Sequence, residues 1–339
     1  MTRLRRVAPR SPGWSRRRAG SGFVYLDEDG ARLPVEAAAR IKALAIPPAW
    51  TDVWISPIAN GHIQALGTDA AGRRQYLYHP AWREQRDKSK HDHVLAIAAR
   101  LRPARAVVAE HLALPGMPRQ RALGTAFRLL DLGFFRIGGE AYAEEHGSYG
   151  LATIEKQHVS IVGREVVFEY TAKSSQERLV AVTDDAVRTA VEELRRRRGG
   201  GPELLAYRDG RRWRDISSAD INAYVKDVVG ADVSAKDFRT WHATVLAAVA
   251  LAGKLDDRRS ATATKRAVKA AMVEVAGYLG NTPTVARSSY VDPRVIDRYE
   301  DGATIAPTLA RLGTGRRTPA RVERDRDRIE RAVLRLLRN

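Results

Sequence analysis

The sequence contains no cysteine, and this absence excludes disulfides, thiolate metal sites and a cysteine nucleophile. It also lacks a long hydrophobic run, since no apolar stretch approaches the roughly 18 residues of a membrane-spanning helix. The longest weakly polar run, 243–253, predicts a buried helix instead. The basic N-terminal segment has no apolar core, so it does not predict a secretory signal. We therefore expect a cytoplasmic protein without a membrane partner.

Patterns that bind nucleotides or metals are also missing or incomplete. There is no Gly-x-x-x-x-Gly-Lys loop of the kind that cradles the phosphates of ATP. His91 and His93 are spaced as a His-x-His pair, but no third histidine follows closely, so we interpret them as linker residues. We expect no metal and no cofactor.

Positive charge is present in large excess. The 339 residues include 58 Lys and Arg against 40 Asp and Glu, which gives a formal net charge of +18. A hydrophobic content of 44% is enough for a buried core, so this charge belongs to a folded protein. Folded proteins this basic most often bind polyanions, and duplex DNA is the first candidate partner. A membrane surface is the rival partner, but no amphipathic stretch stands out as an anchor.

The pattern along the chain predicts an α+β protein of two domains. The expected segments are a basic flexible arm over 1–20, a small antiparallel β-sheet domain over 21–88 and a mainly α-helical domain over 89–339. The sheet domain contains three short strand patterns after a helical segment that begins at Pro34. A charged segment, 82–93, is interpreted as the connection between the domains.

Helical spacing dominates the larger domain. The predicted helices span 90–101, 103–113, 118–132, 184–197, 218–229, 236–253 and 260–279. One β-hairpin segment, 158–173, interrupts them, with its tight turn at Val162–Glu165. The charged tail, 321–339, predicts a C-terminal helix.

One tyrosine, Tyr290, stands in the polar segment GNTPTVARSSYVDP at 280–293. A surface phenol is the ordinary interpretation, and a nucleophile is the functional one. A phenol attacks phosphorus well only if the charge that develops on the phosphate is neutralised and the leaving oxygen is protonated. Two arginines suit the first task, and a lysine whose pKa is lowered by neighbouring cations suits the second.

Three basic residues lie at structural junctions and not on open helix faces. Arg136 sits between apolar residues just before a double glycine, and an arginine that caps a helix C-terminus is the alternative. Arg239 lies in the first turns of a predicted buried helix, where an ion pair is an equally good explanation. Lys173 ends a strand pattern, and an ordinary exposed loop lysine is the simpler interpretation of its local sequence.

Longer motifs surround these residues and occur in one order along the chain: GRRQYLYH, GFFRIGGEAYAEEHGSYGLATIEKQHV, YTAKSSQER, KDFRTWHATVLAA and YLGNTPTVARSSYVDPRV. On these motifs the sequence resembles the type IB DNA topoisomerases of the bacterial, poxvirus-like branch, from about residue 22 to 300. In that family a tyrosine attacks a DNA phosphodiester and forms a 3′-phosphotyrosyl link and a free 5′-hydroxyl. The resemblance implies a nucleoid-associated monomer that relaxes supercoiled duplex DNA without ATP, metal or an obligate protein partner.

The resemblance also assigns roles to individual residues. Tyr290 matches the nucleophile, and Arg136 and Arg239 match the two arginines that clamp the phosphate. Lys173 matches the lysine that acts as general acid toward the leaving 5′ oxygen. Lys236 matches a second lysine near the site.

One position departs from the poxvirus pattern. Asn281 stands nine residues before the tyrosine, where those enzymes have a histidine. Asparagine donates a hydrogen bond to a nonbridging oxygen but cannot titrate, so we expect a transition-state donor and not an acid or base. A turn asparagine or a helix C-cap after Gly280 is the structural alternative.

The small sheet domain resembles the family's N-terminal cap, which closes over duplex DNA opposite the catalytic domain and so forms a clamp. The implied DNA contacts are Arg73, Arg74, Gln75, Tyr76, Tyr78 and Tyr142. Arginines suit phosphates, whereas glutamine and tyrosine side chains can contact base edges in the major groove. Ordinary strand alternation is the other explanation of this polar segment.

Two other function classes remain open. A tyrosine recombinase uses the same nucleophile and a similar arginine pair, usually with His-x-x-Arg at the second arginine. Here the order is Arg239-x-x-His242, and the N-terminal region is a predicted sheet domain and not a helical one. A non-enzymatic DNA-binding protein would explain the charge, but not the set of Arg136, Lys173, Arg239 and Tyr290.

Overall fold

The structure is a computed structural model, and it describes residues 3–139, 143, 147–173, 175–254, 260–313 and 325–338. The chain divides into two compact units, Met1–Asp92 and His93–Asn339. Each unit combines helices with antiparallel strands. None of the helices in the described ranges is both long and apolar enough to span a membrane.

The first unit is built on one antiparallel sheet and one short helix. The strands are β1 (Trp14–Ala19), β2 (Gly22–Leu26), β3 (Thr51–Ile55), β4 (Ile63–Thr68) and β5 (Arg74–Tyr78). They are ordered β2-β1-β3-β4-β5. Helix α1 (Val35–Ala43) covers part of the sheet, because Ile41 packs with Ile55 and Ala65 in one buried cluster. The predicted helix and the three strands that follow it are confirmed.

Strand β1 shows that the prediction of a flexible arm over 1–20 is wrong for this segment. It pairs with β2 along its length and with the end of β3. Arg16 donates hydrogen bonds to the carbonyl oxygens of residues 46, 47 and 50 and lies 4.1 Å from the centre of the Phe23 ring. The arginines give this strand the composition of a solvated tail, so the sequence did not predict a strand here.

A single helix, α2 (Pro80–Leu112), replaces the connection and the two helices that the sequence predicted over 82–113. Pro103 lies inside this helix, where it removes one backbone donor without ending the helical run. The division between the two units falls within α2, between Asp92 and His93. The charged segment 82–93 is therefore helical.

The second unit is mainly helical. Its described helices after α2 are α3 (Arg119–Gly133), α4 (Asp185–Arg196), α5 (Ser218–Val229), α6 (Ala235–Ala252), α7 (Ala261–Leu279), α8 (Pro283–Ser289), α9 (Pro293–Glu300), α10 (Ala306–Arg311) and α11 (Arg326–Arg338). Helix α6 is buried along most of its length, with Phe238 and Trp241 fully enclosed. The helices predicted from 118 to 279 are confirmed, whereas the sequence missed α8, α9 and α10.

Two small antiparallel sheets complete this unit. The strands are β6 (Val159–Val162), β7 (Glu165–Ala172), β8 (Gln176–Val182), β9 (Ala206–Asp209) and β10 (Arg212–Asp215). The predicted hairpin is formed by β6 and β7, and β8 adds a third strand on the other side of β7. Only Val182 of β8 is buried, so this strand lacks the apolar alternation that would have predicted it.

The C-terminal helix α11 joins the core of the second unit through apolar and ionic contacts. Ile329 and Val333 are fully buried. Glu330 is also buried and accepts hydrogen bonds from Arg105 at 2.7 and 2.8 Å. Arg105 makes a second two-pronged pair with Asp131 of α3, in which its Nε and its Nη2 each donate to one carboxylate oxygen at 2.9 Å. The predicted charged tail is therefore a packed element over its described residues.

Candidate active site

Tyr290 lies between two short helices and is half-buried. Most of the segment before it is the helix α8, capped by Thr282, and not the polar loop that the sequence suggested. On the other side, the backbone N–H of Asp292 donates to Thr244 Oγ1 on α6 at 3.1 Å. These contacts fix the backbone on both sides of the phenol.

Arg239 reaches the phenol from the buried helix α6, and only 3% of its surface is exposed. Its Nη2 donates to the carbonyl oxygen of Leu279 at 2.9 Å, and its Nη1 donates to that of Phe134. The guanidinium carbon lies 5.2 Å from the centre of the Tyr290 ring. Carbonyl oxygens hold this arginine in place without neutralising it, so its full charge acts on the phenol.

Arg136 approaches from the segment after α3. Its Nη2 donates to Asn281 Oδ1 at 2.8 Å and to the carbonyl oxygen of Gly280 at 3.2 Å. Gly280 is the C-cap residue of α7, so Arg136 does contact a helix C-terminus, as the alternative interpretation expected, but it is that of α7 and not of the preceding helix α3.

A close approach of two backbone segments explains the glycines that follow Arg136. The N–H of Leu151 donates to the carbonyl oxygen of Arg136 at 2.8 Å. A Cβ on Gly150 would lie 2.5 Å from the Cα of Gly138, and Gly138 has a φ of +81°. Only glycine fits both requirements, so this crossing fixes the backbone from which Arg136 projects.

Asn281 presents a buried donor beside Arg136 and Tyr290. Its Nδ2 is buried and forms no hydrogen bond, while its Oδ1 is occupied by Arg136. The amide also lies close enough to Tyr290 to affect ionisation of the phenol. An unpaired buried donor is costly in a finished core, but it suits a site that receives an oxygen-rich ligand.

The electrostatics of this cluster favour the phenolate. Burial raises the pKa of Tyr290, but Arg239 and, more weakly, Arg136 and Asn281 outweigh that effect. The net result is a pKa below the ordinary value of 10.0. The structure therefore brings together Tyr290, Arg136, Arg239 and Asn281, which the sequence had singled out.

Phe134 is a member of the site that sequence reasoning missed. It ends α3 with a φ of +56°, which is uncommon for a large residue. Its carbonyl oxygen accepts from Arg239, and its ring stacks on Tyr278 with centroids 6.1 Å apart. The strained backbone thus turns the chain from α3 toward Arg136.

Arg178 and Tyr170, the two ends of the motif YTAKSSQER, are two further residues to which the sequence assigned no role. Arg178, on β8, donates from Nη2 to the carbonyl oxygen of Tyr278 at 2.7 Å and from Nη1 to that of Gly277 at 3.4 Å. Tyr170, on β7, is buried, which raises the pKa of its phenol, although the charges of Arg178 and Arg239 oppose this shift. Strand β7 and the inward alternation of Tyr170 were predictable, but the polar strand β8 has no periodic pattern that would have placed Arg178 beside it.

The two lysines occupy exposed positions. Lys173 lies in the turn between β7 and β8, on the same hairpin as Arg178. Lys236 lies in the first turn of α6, three residues before Arg239. Lys173 therefore shares its hairpin with Tyr170 and Arg178, and Lys236 shares α6 with Arg239.

The predicted DNA contacts of the first unit lie on two faces of β5. Tyr76 is 42% exposed and stacks on Tyr78 with centroids 5.9 Å apart. Alternation places Gln75 on the opposite face, where its amide donates to Asp69 at 2.8 Å. Arg73 also pairs with Asp69, and hydrogen bonds from its backbone and side chain lower the pKa of that carboxyl from 3.8 to about 2.

Arg74 and Tyr142 are the remaining predicted DNA contacts. Arg74 is exposed. Tyr142 lies outside the described residues. Among the residues that the structure does describe, no group of three or more His, Cys, Asp or Glu side chains is placed to hold a metal ion.

Comparison with known families decides the class to which this site belongs. The family described as the catalytic core of eukaryotic DNA topoisomerase I matches residues 79–307, which is more than half of the chain. The N-terminal domain of bacterial DNA topoisomerase IB matches residues 22–69. The chain belongs to the type IB DNA topoisomerases. This confirms the resemblance seen in the sequence and the prediction of a type I topoisomerase that acts on DNA.

A curated relative supports the same assignment for this topoisomerase. DNA topoisomerase 1B of Acanthamoeba polyphaga mimivirus is 26% identical to it over 297 residues. That alignment covers 85% of this chain and 88% of the viral protein. The shared region includes both units.

Proposed function

We propose that this topoisomerase cleaves one strand of duplex DNA through Tyr290, allows rotation about the intact strand and then religates. The observation that carries this proposal is the convergence of Arg136, Arg239 and Asn281 on one phenol whose pKa is lowered. These residues come from three distant parts of the chain. A structural role alone does not account for two arginines that converge without a carboxylate partner among the residues that the structure describes.

In the proposed cleavage step, the Tyr290 phenol loses its proton to water, its oxygen attacks phosphorus, and the bond from phosphorus to the 5′ oxygen breaks. The product is a 3′-phosphotyrosyl ester and a free 5′-hydroxyl. Arg136, Arg239 and the free amide N–H of Asn281 stabilise the charge that develops on the nonbridging oxygens. Religation is the reverse attack by the 5′-hydroxyl on the phosphotyrosine.

Lys173 protonates the leaving 5′ oxygen in this proposal, with Lys236 close to the site. Lys173 lies at the tip of a hairpin that Arg178 fastens to the end of α7, so the hairpin can deliver the lysine to bound DNA. The exchange of one ester for another conserves bond energy, so the proposed reaction needs no ATP. Arginines and lysine supply the positive charge, so it needs no metal or other cofactor.

We also propose that the enzyme works as a monomer that clamps duplex DNA between its two units. Tyr76 and Tyr78, stacked on one face of β5, would contact base edges, and the exposed Arg74 would contact phosphate. Arg73 and Gln75 would have to exchange their bonds to Asp69 for bonds to DNA. The proposal extends to Tyr142 on the resemblance alone.

Relaxation of supercoiled plasmid in EDTA without ATP tests this proposal, with wild type beside Tyr290→Phe. Wild type should relax the plasmid and yield protein-linked nicked DNA when detergent stops the reaction. Tyr290→Phe should bind duplex DNA normally but do neither. Activity that requires a second copy of the enzyme would favour a recombinase. Equal relaxation by the phenylalanine variant would rule out Tyr290 as the nucleophile.

A further inference from the structure

Arg178, on β8, connects the three-stranded sheet of the second unit to the end of α7, one turn before Asn281. Its guanidinium donates to the carbonyl oxygens of two successive residues, Gly277 and Tyr278. These are among the last carbonyls of the helix, where intrahelical donors run out; that of Gly277 also accepts from the capping N–H of Gly280 at 3.4 Å. Arg178 therefore fixes the orientation of the helix end from which Asn281 emerges.

Gly280 strengthens this connection because Arg178 packs directly against it. Gly280 ends α7 with a φ of +60°, the left-handed conformation that favours glycine. A Cβ at this position would lie 2.4 Å from Arg178 Nη1. The position is therefore restricted twice, by its backbone conformation and by the guanidinium that occupies the space above it.

The environment of Arg178 contains phenols and guanidiniums but no carboxylate partner among the described residues. The buried phenol of Tyr170 is its neighbour on β7, and Arg136 is close enough for the two charges to repel each other. Burial and, more weakly, that repulsion disfavour the charged form and outweigh the favourable effect of the Tyr170 phenol, so the pKa of Arg178 is lowered. The hydrogen bonds to the end of α7 are what a neutral, shorter side chain at this position would lose.

We propose that Arg178 is a positioning residue for the cleavage reaction: it holds the α7 terminus so that Asn281 keeps its Oδ1 on Arg136 and its Nδ2 toward the phosphate. Arg178 itself makes no contact with the reacting atoms. This inference rests on the proposed role of Asn281 and adds a residue that supports it. A displacement of about 1 Å at a reacting centre costs on the order of 100-fold in rate, so a loosened helix end should slow cleavage strongly.

A double-mutant cycle in single-turnover cleavage tests the proposal, with protein in saturating excess over a labelled duplex. Arg178→Gln should slow cleavage at least about 10-fold while the Kd for DNA stays within about 2-fold. Arg178→Gln should add little when Asn281 is already alanine, because the two residues act through one contact. Arg178→Lys keeps one donor and should retain an intermediate rate.

Arg164→Gln is the matched control, because Arg164 is an exposed arginine of the same sheet whose partner is Asp185. It should cleave at the wild-type rate. Wild-type cleavage by Arg178→Gln, or losses that simply multiply in the double variant, would overturn the proposal. If Asn281→Ala alone cleaves normally, the proposed role of Asn281 fails, and the role of Arg178 fails with it. If the glutamine variant does not fold, equal rates for Arg178→Lys and wild type would count against the inference.

Discussion

The Nη2 of Arg136 donates to the Oδ1 of Asn281 at 2.8 Å, and this contact orients the whole amide. With Oδ1 turned to Arg136, Asn281 presents its Nδ2 to a ligand; that atom is buried, has no partner at hydrogen-bond geometry and lies close enough to Tyr290 to lower the pKa of its phenol. The poxvirus enzymes have a histidine at this position. Here a neutral donor is fixed by a neighbouring arginine.

Asn281→Asp should slow single-turnover cleavage by on the order of 100-fold, because the change keeps the acceptor for Arg136 but removes the donor and adds a negative charge near phosphate. Asn281→His should lose less. Its activity relative to wild type should rise as the pH falls from 8 toward 6, because a protonated imidazole is the better donor. A rate ratio that does not change with pH would contradict this account.

Lys173→Ala should slow cleavage by about 100-fold to 10,000-fold if Lys173 protonates the leaving oxygen. A duplex whose 5′ leaving oxygen is replaced by sulfur should restore most of that rate, because a thiolate leaves without a proton. Arg136→Ala on the same duplex is the control and should not be rescued. Failure of the sulfur substrate to rescue Lys173→Ala would remove the general-acid assignment.

Arg239→Gln should raise the pKa of the Tyr290 phenol. In the wild type, burial raises this pKa and Arg239 provides the largest opposing effect, so removal of the guanidinium leaves the effect of burial less opposed. Tyrosine labelled with ¹³C at Cζ allows titration of each phenol by NMR, and Tyr290→Phe identifies the resonance. The wild-type resonance should titrate below pH 10, and that of the variant should titrate higher. Identical titrations would show that Arg239 does not act on the phenol.

Asp131→Asn should reduce the free energy of unfolding by about 3–5 kcal/mol, since it removes the buried carboxylate that Arg105, Arg128 and Arg326 share. The charges of Arg105 and Arg326 hold the pKa of Asp131 well below 3.8 despite its burial. Because the folded pKa is depressed, the stabilisation is fully present above about pH 4 and is lost as the pH falls further.

Equilibrium unfolding in guanidinium chloride, measured from pH 7 to 3.5, tests this effect. Asp297→Asn, at an exposed position, is the control. The difference between Asp131→Asn and wild type should shrink at the acid end. A difference that is small at pH 7, or that grows as the pH falls, would contradict the ionic explanation.

The sequence predicted well the elements that follow from local patterns. The helices from 118 to 279 have apolar residues at helical spacing, and β3, β4 and β5 lie between clear turn residues. It failed where charged residues cover an element whose partners lie far away. Strand β1 has the composition of a basic tail, but its Arg16 bonds to distant carbonyls. Strand β8 has the composition of a polar loop, but its Arg178 bonds to the end of α7.

The sequence by itself determined the residue types of the site and their order, and hence the family. The tertiary structure decided which of them meet: Arg136 and Asn281 are 145 positions apart, and only the crossing at Gly138 and Gly150 and the left-handed turn at Gly280 bring them together. It also placed Phe134 and Arg178 at the site; both lie within the quoted motifs, but the sequence assigned neither of them a role. Local propensity depends on neighbours in the chain, whereas the charge around a phenol depends on neighbours in space, and only folding supplies those.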